Sequence, residues 1–287
     1  VSTVKPIRSV LYMPGSNERA LEKAKGIPAD ALILDLEDAV APDTKDAARA
    51  LVVAAVDSYP DKIVTIRANG LGSQWHADDV AAIATSGAAA IVVPKVNSAD
   101  EVHVIEAELV AAGAPDELEI WAMIESPRAV LDAAEIAASS PRLTVLVMGT
   151  NDLISEIRGA ITPGRPALLP SLSLAVLGAR AAGKSIVDGV YMDVKDEAGL
   201  TEECVQGRTL GFDGKTLIHP GQVVPTNTVF APGEKDVEHA RAVIEAFKAA
   251  RAEGKGVATV NGKLIENLHV ADAERVLAYA EVIAARQ

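Results

Sequence analysis

The chain has 287 residues, 49% of them hydrophobic, so it can bury a large core sized for one barrel or two smaller domains. A formal net charge of −13 and an aromatic content of 3% argue against nucleic-acid or anionic-membrane partners, while a small anionic ligand remains compatible with a few local Arg and Lys. No apolar stretch approaches the roughly 18 residues that span a bilayer. The opening VSTVKP lacks a secretory layout, and the single cysteine, Cys204, fits packing inside a helix in a reducing compartment, so a cytoplasmic location is expected.

Taken in chain order, β-branched runs read as strands at 9–13, 31–34, 63–67, 90–93, 118–124, 143–148, 185–191 and 215–218. Ala-rich stretches between them read as helices at 17–25, 44–56, 99–112, 126–138, 171–182 and 197–210. Continuous apolar strands alternating with helices imply a parallel sheet covered on its outer face. Eight such units favour a closed (β/α)8 TIM barrel over an open sheet. After Pro220-Gly221 and Pro232-Gly233 the chain changes character, with a long amphipathic helix at 234–251, a short segment at 254–264 and a last helix at 270–284. The expected division is a barrel over 1–230 and a C-terminal helical extension over 231–287 that packs on the barrel or on a neighbouring subunit. No low-complexity linker separates the two.

The string GARAAGKS at 178–185 matches the phosphate-loop pattern. That loop needs a strand before it and a helix after it, so that helix amides point at phosphate. Here the order is reversed, and Gly183 reads as a helix C-terminal glycine.

The ends of the strands carry the chemistry. Glu125 closes the apolar run LEIWAMI at 118–124, and Asp152 follows LTVLVM at 143–148 across a Gly-Thr-Asn turn. Two carboxylates just past buried strands suit a hard divalent cation such as Mg2+, and this rim is where barrel enzymes collect catalytic residues. Helix caps or solvated loop acids are the plain alternative. Arg67 ends the third strand and offers a planar fork for a carboxylate, or for the acids of the same rim. The second strand runs into DLEDAV at 35–40, where alternation puts Asp35 and Glu37 on one face as partners for Arg67 and for metal-bound water. Lys95 stands where a Schiff-base lysine would, though pairing with nearby acids is the simpler reading. His219, also at a strand end, could be a base, a metal ligand or a hydrogen-bonded structural histidine, and the last is favoured because it belongs to no cluster.

Six motifs in order give the chain a family resemblance. RSVLYMPG at 8–15, DLEDAV at 35–40, VPKV at 93–96, IESP at 124–127, GTNDL at 149–153 and FDGKTLIHP at 212–220 make it similar, over essentially its whole length, to the citrate lyase β-subunit-like CoA-ester lyases, a group of metal-dependent barrel aldolases.

The resemblance implies Mg2+ held by Glu125 and Asp152, with Arg67 gripping the substrate carboxylate. Glu125 would thereby also face the substrate, backbone amides near Gly149 would meet developing negative charge, and Arg8, Arg19 and Lys23 would meet the CoA phosphates. The implied reaction is cleavage of a 3-hydroxyacyl-CoA of malyl-, citramalyl- or citryl-CoA type into an acyl-CoA and a 2-oxo acid, in a homotrimer or homohexamer. Many lyases of the group carry an acid/base aspartate in the C-terminal segment. Here GKLIENLH at 262–269 puts Glu266 at that place, a longer carboxylate whose altered reach bears on the base role. With Asp35 and Glu37 it completes the expected proton-handling set. A thioesterase of the same family, a Schiff-base aldolase using Lys95 and a non-catalytic CoA-ester-binding subunit are the alternatives.

Overall fold

The structure, a computed structural model, describes residues 5–285. It divides into two compact units, Ile7–Phe230 and a second made of Lys5 and Pro6 with the stretch from Ala231 onward.

The first unit is a closed (β/α)8 barrel. Strands β1 (Ser9–Pro14), β2 (Ala31–Asp35), β3 (Ile63–Arg67), β4 (Ala90–Val93), β5 (Glu119–Ile124), β6 (Leu143–Met148), β7 (Ser185–Asp188) and β8 (Gly214–Leu217) pair in parallel in chain order, and β8 returns to β1. Seven of the eight follow their sequence bounds closely. β7 stops at Asp188 because the Gly189 carbonyl turns away to the Lys215 ammonium, 2.5 Å distant, and leaves the ladder.

Period-2 alternation sorts the strand residues into two cores. Leu11, Leu32, Leu34, Ile66, Ile91, Ala122, Leu146 and Ile186 face outward under the helices. Val10, Ile33, Ile63, Val92, Trp121, Met123, Val145, Val147 and Val187 fill the barrel interior. The interior phase continues upward into Asp35, Arg67, Glu125 and Gly149. The candidate site residues are therefore the top layer of the barrel's own packing, at the C-terminal ends of the strands.

Two local departures have clear causes. The helix expected over 126–138 is broken into Pro127–Leu131 and Ala133–Ala138, with Asp132 (φ −98, ψ 10) between them. At the phosphate-loop look-alike, the helix Leu169–Ala181 ends at Gly183 with φ +68, and Lys184 N–H closes onto Ala179 O at 2.8 Å before β7 begins. The order is helix then strand, so its amides cap a helix C-terminus.

The second unit has its own core, built by Ala240, Val243, Phe247, Ala258, Val260, Ile265 and Ala273. Helices Glu234–Ala252 and Asn267–Ala284 flank a hairpin of β9 (Ala258–Val260) and β10 (Lys263–Ile265). Asn261 and Gly262 turn it with φ of +49 and +75, the pairing that a tight hairpin turn needs. Among the described residues no helix is long and apolar enough to cross a membrane.

Candidate active site

Arg67 is the centre of the rim. Its Nε and Nη2 donate to the two carboxylate oxygens of Asp35, each at 2.7 Å, in a bidentate fork. Asp35 also accepts the backbone N–H of Glu37 at 2.9 Å and of Ala39 at 3.1 Å. With four donors it is saturated, so it orients Arg67 and shapes the turn, and it has no lone pair left to activate water. Burial works against the Arg67 charge, but the Asp35 hydrogen bonds and the surrounding negative charge hold its pKa above the ordinary value. The ring of Tyr12, on β1, lies beneath, 5.0 Å from the guanidinium carbon.

Glu37 is placed differently. Its Oε2 lies 2.9 Å from Arg67 Nη1 but outside hydrogen-bond alignment, so that buried oxygen has no hydrogen-bond donor. Asp38, 3.4 Å from the same nitrogen, is largely solvated. Burial raises the Glu37 pKa to about 7, Arg67 only partly opposing the rise. Glu37 is thus a carboxylate poised near neutrality beside the one nitrogen of Arg67 that Asp35 leaves loosely held.

Glu125 is buried one step above Met123 on the same face of β5. Its Oε1 accepts the backbone N–H of Lys95 at 2.6 Å. Lys95 adopts φ +54 to deliver that bond, an uncommon conformation for a residue other than glycine. Gly149 sits against Glu125 so closely that a Cβ there would lie 2.3 Å from the Glu125 Cβ. Its own N–H is committed to Ile124 O at 3.0 Å, so any amide offered to a substrate anion comes from further along the helix Thr150–Glu156. Asp152 lies in the first turn of that helix, half-exposed, with the Lys95 ammonium 4.0 Å from its Oδ1.

Burial, then the like charge of Asp152, lifts the Glu125 pKa to about 7. A carboxylate lifted by a neighbouring carboxylate in this way, with oxygen donors and a glycine keeping the space open, fits a hard cation. Among the described residues no group of three or more His, Cys, Asp or Glu side chains converges.

Residues 8–220 match the model of the HpcH/HpaI aldolase/citrate lyase family. The chain belongs to that family. Among its relatives is a (3S)-malyl-CoA thioesterase of Cereibacter sphaeroides, 52% identical over 282 residues, covering 98% of this chain and 96% of the relative. The citrate lyase subunit beta of Escherichia coli is 38% identical over 287 residues, covering 98% of this chain and 95% of the relative. In structure the chain is similar to CitE of Mycobacterium tuberculosis in complex with magnesium, acetoacetate and coenzyme A, with a TM-score of 0.76, 28% identity and coverage of 96% of this chain and 98% of that one.

Not every expected residue stands at this rim. Arg8 precedes β1, at the opposite end of the barrel, and its backbone N–H, Nε and Nη2 all bind the Asp30 carboxylate at 2.8–2.9 Å. The expectation that it meets substrate is corrected: a residue before a strand lies at the stabilising end of a barrel, and the catalytic end comes after it. Arg19 and Lys23 are exposed on the helix Glu18–Ala24 that follows β1. His219 accepts the Gly221 N–H at 3.1 Å and caps the turn after β8. Glu266 belongs to the second unit, exposed at the N-terminus of its last helix. Two site features were missed in the sequence: Tyr12, whose phase with Val10 already placed it inside the barrel, and the Lys95 amide, which leaves no side-chain signature.

Proposed function

We propose that this family member hydrolyses the thioester of a malyl-type CoA ester in a Mg2+-dependent reaction, releasing free CoA and the hydroxy acid. The observation that carries the reading is identity of 52% along nearly the whole chain to a malyl-CoA thioesterase, on a rim where Glu125 feels the charges of both Arg67 and Asp152. Magnesium, present in the CitE complex, would be held by Glu125 and Asp152, and when bound it supplies Lewis-acid polarisation of a substrate oxygen.

The chain's own residues account for the rest. Arg67 Nη1, loosely shared by Glu37 and Asp38, is the position a substrate carboxylate takes. Its arrival frees Glu37, whose pKa near 7 suits a general base at neutral pH. Glu37 accepts a proton from water as that water's oxygen bonds to the thioester carbon. The carbon–sulfur bond then breaks, and the same proton passes from the Glu37 carboxyl to the departing CoA sulfur. Asp35 keeps the guanidinium in plane throughout.

Cleavage of the carbon–carbon bond, giving an acyl-CoA and a 2-oxo acid, is the second reading, favoured by the likeness to citrate lyase subunit beta. Product analysis by mass spectrometry decides between them. The purified protein is offered malyl-, citramalyl- and citryl-CoA, with Mg2+ and again with EDTA. Free CoA plus intact hydroxy acid, lost on chelation, is the expected result. Acetyl-CoA plus a 2-oxo acid replaces it with the lyase, and no turnover of any ester favours a CoA-ester-binding subunit.

A further inference from the structure

Lys45 opens the helix Lys45–Ala55 after β2 and is only 5% exposed. An ammonium carries three donors, and here all three go to uncharged oxygens: Leu36 O at 2.8 Å, Glu37 O at 2.9 Å and Asn69 Oδ1 at 2.6 Å. The Trp75 ring closes another side, its centroid 4.9 Å from Nζ. Among the described residues none of its hydrogen-bond partners is a carboxylate. Asn69 is itself fixed, its Nδ2 donating to Leu36 O at 3.0 Å and to Asp79 Oδ2 at 2.6 Å. Asp79 in turn is held by Arg49 Nε at 2.7 Å.

A buried charge is costly and is ordinarily matched by an opposite one. This one gathers main-chain carbonyls, as a structural metal ion would. Both carbonyls belong to the turn that carries Glu37. Asp35 holds the N–H groups of that turn from the barrel side, and Lys45 holds its C=O groups from behind. The turn is therefore clamped on both faces of its peptide planes, while the Glu37 side chain itself has only an imperfect contact with Arg67.

We propose that Lys45 is a positioning residue: its ammonium replaces a structural cation and fixes the backbone at 36–38, so that Glu37 stays within reach of Arg67 and of the reacting water. The catalytic half of this inference rests on the hydrolase reading above; the clamping half does not. Asp35 grips Arg67 through contacts that do not involve Lys45, so substrate binding and proton transfer respond differently to its loss.

The test is Lys45→Met, which keeps the unbranched stem, one atom shorter, and removes the charge and donors. The expected result is a kcat lower by about 100-fold with KM within about threefold, the size of effect that a misplaced reacting group produces. Backbone amides at 36–40 should exchange with deuterium at least about tenfold faster than in the wild type. A kcat within about twofold of wild type, or unchanged exchange at 36–40, overturns the proposal. If Lys45→Met does not fold, Lys45→Gln, which keeps two donors and lacks the charge, is read in the same way. If the wild type hydrolyses none of the three CoA esters, the hydrolase reading fails, and the exchange measurement still decides the role of Lys45.

Discussion

Glu125 and Glu37 are each lifted to about 7 chiefly by burial, with like charge adding to the rise, from Asp152 at Glu125 and from Asp38, Glu125 and Asp35 at Glu37. A folded-state pKa above the unfolded value of 4.5 means that the folded protein holds the proton more tightly. The stability each group contributes is therefore complete below about pH 4.5 and is lost as pH rises through about 7. A divalent ion binds the ionised carboxylates, so it restores stability most where that loss is greatest. In EDTA, the melting temperature of the wild type should fall across this window, and Glu125→Gln should flatten the fall. Added Mg2+ should raise the melting temperature more at about pH 8 than at about pH 5 in the wild type, and leave Glu125→Gln unmoved. Differential scanning fluorimetry across pH reads both, and an equal magnesium response in the variant would remove Glu125 from the metal site.

At the scale of elements, the barrel is tied together on its outer side by a buried quartet. Asp188 at the end of β7 meets Lys215 of β8 at 3.1 Å and Arg165 at 2.9 Å, and Glu203 of the helix Glu197–Leu210 meets Lys215 at 2.6 Å. Two cations and two anions balance, and they join β7, β8, a helix and the loop that leads away from the Asp152 helix. Asp188→Ala leaves Lys215 and Arg165 with only Glu203 of their two shared anions. Removing one partner of a buried pair costs about 3–5 kcal/mol, so urea unfolding should show a loss of that order. A loss below about 1 kcal/mol, the worth of a surface pair, would mean that water enters the quartet freely. None of this was legible in the sequence, because the four residues come from separate segments and only closure of the barrel brings them together. The barrel strands were legible, since their apolar runs need both faces covered, and so was the placement of Asp35, Arg67 and Glu125 at one rim, since they continue the interior phase. Arg8 misled because a motif string does not say which end of a strand its first residue occupies. The hairpin β9–β10 was passed over as a short segment, although Asn261-Gly262 carries the turn signal that defines it.

At the scale of the molecule, the chain forms two units with separate cores. The barrel supplies Arg67, Glu37, Glu125 and Asp152, and the second unit carries Glu266. Hydrolysis needs one proton relay, the part proposed above for Glu37. Carbon–carbon cleavage needs in addition an acid that delivers a proton to the carbon of the thioester enolate, and the family resemblance gives that part to a C-terminal carboxylate. Many of the family's lyases place an aspartate there, whereas Glu266 reaches roughly an ångström further, a misplacement that can cost about 100-fold in rate. Glu266 would then leave hydrolysis intact and suppress the competing cleavage. Glu266→Asp should raise the ratio of 2-oxo acid to free CoA released from malyl-CoA by about tenfold or more, while Glu266→Gln should lower it and keep hydrolysis within about threefold of wild type. The ratio, read by mass spectrometry from a single reaction, is independent of the amount of active protein. If Glu266→Asp leaves it unchanged, the choice between the two reactions is made inside the barrel. If Glu266→Gln instead abolishes hydrolysis, the relay assigned to Glu37 belongs to the second unit.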